Sequence, residues 1–157
     1  MANTYEPIAT NATTGTVSSC TLSSLPSTYT DLILVINDLT SVDTGYKINI
    51  NSYTGSNYSS TFMYGEASSA YSGRGSSVTA APTVGRRPGN TIMQFQNYSN
   101  TTTYKTFITR GNASNHMVIA TVSLWRSTAA INSITVTPEK GSFASGVTFT
   151  LYGIKAA

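Results

Sequence analysis

The chain has 157 residues and a formal net charge of +3, and its 22 serines and 26 threonines far outnumber nine basic and six acidic side chains. A chain of this length can fold as one domain without disulfides or metals, because it buries roughly 70% of its unfolded surface. The low net charge and the 10% aromatic content exclude a disordered chain, and the weak basic excess does not indicate a nucleic-acid partner.

The sequence shows no targeting or membrane-spanning signal. The first ten residues lack the basic start and the apolar run of a signal peptide, so we expect synthesis in the cytoplasm without a signal peptide. The longest apolar run, residues 32–36, falls far short of the ~20 residues that span a bilayer, and we expect no membrane partner. Cys20 is the only cysteine and therefore forms no intrachain disulfide.

The N-terminal half predicts one arm, one central strand and one long loop. Residues 1–16 are thinly apolar and predict an extended arm ahead of a single domain at residues 17–157. Residues 31–38 are a short apolar run bounded by turn formers, which is typical of a strand buried on both faces. Residues 65–90 are rich in Ser, Gly and Ala and contain three arginines and two prolines, a composition that predicts a long loop.

The C-terminal half predicts regular strands at residues 92–98, 117–125 and 147–152. In the second of these, four apolar side chains share one face, namely Val118, Ala120, Val122 and Leu124. Weaker strand-like runs occur at residues 5–10, 16–22, 46–51, 60–64, 103–109 and 131–137. About ten short strands without helical periodicity predict an all-β fold, a single-domain antiparallel β-sandwich or jelly roll.

The sequence contains no pattern of catalytic or metal-binding residues. His116 is the only histidine and has no motif partner, so a structural role is favoured over a base or a metal ligand. Asp31, Asp38 and Asp43 lack the density of a calcium loop, which favours turn and cap roles. No G-x-S-x-G elbow or P-loop is present. We therefore expect no enzyme activity and no cofactor.

A basic cluster and the tyrosines indicate a protein interface. Arg74, Arg86 and Arg87 lie in the predicted loop, where pairing with carboxylates of a neighbouring subunit is favoured over binding of nucleic acid. Most of the ten tyrosines lie in or beside predicted turns, and tyrosine is enriched at interfaces. The candidate interface residues are Tyr5, Tyr64, Tyr71, Arg74, Arg86 and Arg87.

Five segments resemble a known family: ANTYEPIAT (2–10), TYTDLILV (28–35), NYSNTTTYK (97–105), LWRSTAAINSI (124–134) and FTLYGIKAA (149–157). With them the chain resembles small virion structural proteins of tailed bacteriophages, especially marine and cyanobacterial phages, over essentially its whole length. The resemblance implies a non-enzymatic, symmetric component located in the virion and brings no catalytic residues. It does not distinguish the head from the tail.

These features together predict a capsid decoration, or cement, protein that bridges neighbouring capsid subunits as a homotrimer. Residues 1–16 and the three arginines of the predicted loop are the expected attachment elements. The alternative is a tail-fibre, receptor-binding or adaptor module whose exposed Tyr and Asn side chains contact host glycans. A polysaccharide-cleaving enzyme is disfavoured, because the six carboxylates are scattered along the chain.

Overall fold

The protein is an antiparallel β-sandwich. The computed structural model describes residues 4–38, 45–78, 81–83, 89–113 and 116–155, and no helix occurs within these ranges. Their twelve strands form one eight-stranded and one four-stranded sheet. In chain order the strands are β1 Tyr5–Ala12, β2 Cys20–Leu22, β3 Asp31–Asp38, β4 Tyr46–Ile50, β5 Tyr58–Glu66, β6 Ser69–Val78, β7 Ala81–Thr83, β8 Gly89–Phe95, β9 Lys105–Ala113, β10 Met117–Trp125, β11 Ile134–Pro138 and β12 Thr148–Ile154. The predicted all-β fold is confirmed.

Eight of these strands have the order of a jelly roll. The larger sheet contains the order β1-β12-β3-β8 and the smaller sheet is β2-β11-β4-β7, so the chain winds between two four-stranded layers. The remaining four strands continue the larger sheet beyond β8 in the order β9-β10-β5-β6. We call these four strands the extension. In the sequence they form two hairpins that are inserted between jelly-roll strands. Hairpin β5–β6 lies between β4 and β7, and hairpin β9–β10 lies between β8 and β11.

The core lies between the two sheets and follows the two-residue alternation of the strands. Val147, Phe149 and Leu151, which alternate with polar residues in the strand predicted at residues 147–152, have no exposed surface. They belong to one apolar cluster with Leu34 of β3 and Ile48 of the smaller sheet. Full burial of such a side chain stabilises the fold by about 1.5–3 kcal/mol. The alternation therefore fixes which face of each central strand meets the other sheet.

The predicted N-terminal arm is part of the larger sheet over most of its described portion. β1 pairs antiparallel with β12, and Ile8 and Ala9 pack against the core. The expectation of a separate arm is thereby corrected, because Tyr5–Ala12 form an edge strand. The sequence is thinly apolar here because only these two side chains of the strand reach the core.

The predicted loop at residues 65–90 contains strands. β6 pairs with β5, and β7 pairs with β4, so the expectation of one long loop is corrected. β6 lacks the usual strand signals because it is an edge strand built from small residues. Gly73 lies beneath the ring of Phe62, where a Cβ atom would come within 2.7 Å of the ring. A small residue is therefore required at a position where a strand former would otherwise be expected.

The strand at residues 31–38 is buried on one face only. Leu32, Leu34 and Ile36 have no exposed surface, whereas Ile33 and Val35 point to the outer face of the larger sheet and are partly exposed. The prediction of burial on both faces is therefore wrong for the isolated chain. The reason is that the smaller sheet packs on one side of the larger sheet, and nothing in the described residues packs on the other side of this strand.

Candidate docking surface

The outer face of the extension carries a patch of exposed apolar side chains centred on β10. On β10, the four apolar side chains that alternation places together do share one face, but this face points away from the smaller sheet. Met63 and Val118 are each 64% exposed, and Val122 is 51% exposed. Ile108 of β9 is the cross-strand neighbour of Val122 and is also exposed. An antiparallel sheet with one face in water normally carries polar side chains there, so this face departs from the usual pattern.

The buried face of the same strands carries hydroxyl groups. Thr121 and Ser123 of β10 point inward, opposite Thr109 of β9 and Ser60 of β5 respectively. Within the described residues none of these four hydroxyls has a hydrogen-bond partner, and each such burial costs about 1–3 kcal/mol. The polarity of the extension is thus reversed at its centre. At this position the extension exposes apolar side chains and buries hydroxyl groups.

A trough of about 720 Å³ lies on this outer face. Met63, Ile92, Val118 and Ala120 contribute to its walls, together with Arg110. Arg110 lies between its cross-strand neighbours Ala120 on β10 and Ile92 on β8. Its side chain is exposed and has no hydrogen-bond or ion-pair partner in the described part of the chain. The trough therefore combines apolar walls with one unpaired positive charge.

A second hollow of about 340 Å³ is lined by the next residues of β5 and β10, among them Thr61, Val122 and Leu124. Arg74 of β6, the cross-strand neighbour of Thr61, and Arg126 also line it. The two arginines are held differently. Arg126 donates to Ser59 Oγ at 3.0 Å and to the carbonyl of Tyr58 at 3.3 Å, whereas Arg74 is exposed and unpaired among the described residues.

The outer face of the extension carries positive charge without negative charge. Glu66 is the only carboxylate in the described residues of β5, β6 and β8 to β10. It alternates with the outward-facing Gly65 and therefore points inward, where its Oε1 lies 3.0 Å from His116 Nε2. The surface formed by the trough and the hollow thus complements a partner that offers carboxylates and apolar side chains.

The outer face of the smaller sheet has the opposite character. The hydroxyls of Thr21 and Thr135 lie 3.0 Å apart across β2 and β11, and Lys47 of β4 is exposed beside them in the sheet. This face therefore exposes hydroxyl groups and a lysine. Among the described residues, the large exposed aliphatic side chains, Met63, Ile108, Val118 and Val122, all lie on the outer face of the extension.

The structure separates the candidate interface residues. Arg74 lies on the outer face of the extension, whereas Tyr64 and Tyr71 stack on its inner face with ring centroids 4.8 Å apart. Tyr5 is exposed at the start of β1, on the far edge of the larger sheet.

The predicted basic cluster is represented in the described residues by Arg74 alone. Arg86 and Arg87 lie outside the described residues. The arginines that share a face with Arg74 are Arg110 and Arg126, which come from β9 and from the residue after β10. The basic surface is therefore assembled from three separate parts of the chain.

Acid–base groups are dispersed over the fold. His116 pairs with Glu66. Among the described residues, no hydroxyl group forms a hydrogen bond with the His116 side chain. Cys20 is buried, and burial raises the pKa of its thiol. No group of three or more His, Cys, Asp or Glu side chains placed to hold a metal occurs in the described ranges.

Two of the aspartates predicted to serve in turns and caps accept hydrogen bonds. Asp31 Oδ1 accepts the backbone amide of Asn97 at 2.8 Å. Asp38 Oδ2 accepts the hydroxyl of Tyr46 at 2.9 Å, and burial, followed by the neighbouring carboxylate, raises the pKa of Tyr46. Asp43 lies outside the described residues.

No protein-family model matches the chain, and no curated protein matches its sequence. The described part of the chain contains no helix long and apolar enough to cross a membrane. A function must therefore be argued from the surface geometry of this molecule.

Sequence reasoning does not single out Arg110, Arg126 or Met63. The alternation along β9, with Phe107 inward and Ile108 outward, is visible in the sequence. However, each face of this strand contains apolar residues, and alternation alone does not tell which face points to the core. The signal that identifies the surface is the pairing of β9 and β5 with β10, which only the fold supplies.

Proposed function

We propose that this chain is a phage virion structural protein, namely a capsid decoration or cement protein that bridges and stabilises capsid subunits. The observation that carries the proposal is the patch of exposed apolar side chains on the outer face of the extension. Contiguous exposed apolar surface on a folded domain favours association with another protein. The extension is an addition to a complete eight-stranded jelly roll, so its surface is available for attachment without disturbing the core.

The fold and the sequence both support this proposal. Jelly rolls occur in viral capsid domains and in lectins, but a fold alone does not specify a function. The resemblance of five segments to structural proteins of tailed phages favours the first of these settings. Neither the sequence nor the described structure offers a competing catalytic centre, as His116 and Glu66 form an isolated pair.

We further propose that the chain acts as a homotrimer at a local symmetry axis of the capsid. A trimer presents three copies of the outer face at once, and simultaneous contacts multiply modest affinities into stable attachment. The mechanical result is a shell held against the pressure of the packaged genome. The hydroxyl-rich outer face of the smaller sheet then remains toward solvent.

One observation favours a second candidate, a tail-fibre or receptor-binding module that contacts host glycans. On the inner face of the β5–β6 hairpin, Phe62, Tyr64 and Tyr71 form a continuous aromatic stack, and Tyr71 is 49% exposed. Exposed tyrosine rings offer a flat apolar surface with a polar edge, which suits the face of a sugar ring.

The copy number of the chain in purified virions separates the two candidates. Decoration of a capsid lattice requires a copy number on the order of hundreds, since each local symmetry axis is occupied. We expect that result from quantitative mass spectrometry of intact particles, with the major capsid protein as the internal reference. A few copies to a few dozen would contradict decoration and favour the tail module.

A further inference from the structure

Two of the three arginines on the outer face of the extension lack partners. Arg74 and Arg110 are exposed and unpaired among the described residues, and Arg110 lies among apolar side chains of the trough. A guanidinium presents a planar fork of donors that matches a carboxylate in a bidentate pair. The strands of this surface supply no outward carboxylate in their described residues, so both guanidinium groups are open to a carboxylate from another molecule.

A second copy of this chain is a poor source of that charge. A two-fold contact between identical faces brings arginines toward arginines. Of the five carboxylates in the described residues, four already have partners within the chain, namely Glu6, Asp31, Asp38 and Glu66. The fifth, Glu139, follows the last residue of β11 in the smaller sheet. One carboxylate does not complement the two unpaired arginines.

The shape of the surface indicates an extended occupant. The trough and the hollow follow one another along β5 and β10, and the outward side chains from Val118 to Leu124 span roughly 20 Å at ~3.3 Å per residue. Arg110 lies on the β9 side of this line and Arg74 on the β6 side. An extended segment along the line places apolar side chains into the surface and carboxylates toward both flanks.

We infer that the outer face of the extension binds an extended segment of a neighbouring virion protein that is both acidic and apolar. This inference rests on the proposed function and deepens it by naming the attaching surface and the chemistry of its partner. Ion pairs at Arg110 and Arg74 set the register of the segment. Burial of Met63, Val118 and Val122 supplies most of the affinity.

The test uses virions of a phage that lacks the gene for this chain, grown in host cells that supply the full-length wild-type protein or a variant. Arg110→Glu reverses the charge at an exposed, unpaired side chain, so the fold is retained. Lys47→Glu makes the same change of charge on the smaller sheet and is the matched control. Copies per virion are counted by quantitative mass spectrometry after purification at fixed salt.

We expect wild type and Lys47→Glu to reach equal occupancy and Arg110→Glu to fall to about a tenth of it or less. Val118→Ser, which removes exposed apolar surface without touching the core, is expected to lower occupancy in the same way. Washing at increasing salt is expected to release the wild-type protein, because exposed ion pairs are screened.

The outcomes distinguish this inference from the proposed function. Virions that contain no wild-type chain contradict the proposed function. Virions that contain wild type and Arg110→Glu equally overturn the inference alone, as does an equal loss with Lys47→Glu.

Two other occupants are tested with the purified chain. Conversion of an oligomer to a monomer by Arg110→Glu, measured by light scattering, assigns the surface to a second copy and overturns the inference. Sedimentation of wild type but not Arg110→Glu with phosphatidylglycerol vesicles assigns it to an anionic lipid surface and also overturns it.

Discussion

At the scale of single residues, the hydroxyl of Tyr58 connects the extension to the jelly roll by hydrogen bonds. Tyr58 is the first residue of β5 and has no exposed surface. Its hydroxyl accepts the backbone amide of Ile50 at 3.0 Å and donates to the carbonyl of Tyr53 at 3.2 Å. Its ring stacks on Trp125 of β10 with centroids 6.3 Å apart. Burial raises the pKa of this phenol, so the neutral donor form is maintained.

Replacing this hydroxyl tests its contribution. Tyr58→Phe keeps the ring and leaves the Ile50 amide buried without its partner, so we expect the free energy of unfolding to fall by about 1–3 kcal/mol. Equilibrium denaturation in urea measures the change. Tyr104→Phe, at an exposed ring, is the control and is expected to change stability by less than about 0.5 kcal/mol. Equal stabilities for Tyr58→Phe and wild type would contradict the assigned role of the hydroxyl.

At the scale of elements, β1 is held to the larger sheet by a contact outside the strand ladder. Glu6 accepts Lys155 Nζ at 2.8 Å and the hydroxyl of Tyr29 at 3.0 Å. These bonds, the Lys155 bond first, lower the pKa of the Glu6 carboxyl. The ring of Tyr29 lies against Gly153 of β12 so closely that a Cβ at this glycine would come within 2.4 Å of it. The absence of a side chain at Gly153 therefore positions Tyr29.

Adding one methyl group at this glycine is expected to loosen the edge of the sheet. Gly153→Ala forces the Tyr29 ring away from its seat and weakens its bond to Glu6, so we expect a loss of about 1–3 kcal/mol of stability. Gly15→Ala is the matched control, because no atom lies within 4 Å of the added Cβ there. Thermal unfolding of the two variants measures the difference. A Gly153→Ala protein as stable as Gly15→Ala would show that Tyr29 is not fixed by this contact.

Strands with regular alternation are predictable from the sequence, whereas edge strands are not. β12 alternates Phe149 and Leu151 with polar residues, and both its existence and its buried face follow from that pattern. β6 does not show such a pattern, and the turn before it, Ala67 and Ser68, contains neither Gly nor Asn. Ala67 nevertheless adopts a φ of 51°. Turns with this conformation usually contain Gly or Asn, which makes them recognisable in a sequence.

The candidate site is less predictable than the fold, because it depends on neighbouring strands. The pattern of β10 shows that Val118, Ala120, Val122 and Leu124 share a face, but Met117, Ile119 and Trp125 make the other face apolar as well. Which face is buried depends on the position of the smaller sheet. Arg110 becomes part of a site only because β9 lies beside β10.

The whole molecule divides into a scaffold and an added surface. The eight jelly-roll strands supply most of the apolar core, and the smaller sheet exposes the hydroxyl groups of Thr21 and Thr135. The extension reverses this polarity, with buried hydroxyls at Thr121 and Ser123 and exposed apolar side chains at Val118 and Val122. This asymmetry is the physical basis for a protein that attaches by one side.

Oxidation of Met63 by hydrogen peroxide tests most directly whether the outer face of the extension is covered in the assembled particle. Met63 is 64% exposed in the isolated chain, whereas Met93 has no exposed surface and serves as an internal reference. Sulfoxide formation follows exposure and is measured by mass spectrometry of the chain free in solution and within virions. The account predicts rapid oxidation of Met63 in the free chain and protection in the virion, with Met93 unreactive in both. Equal oxidation rates of Met63 in the two states would contradict it, because the face would then be uncovered in the particle.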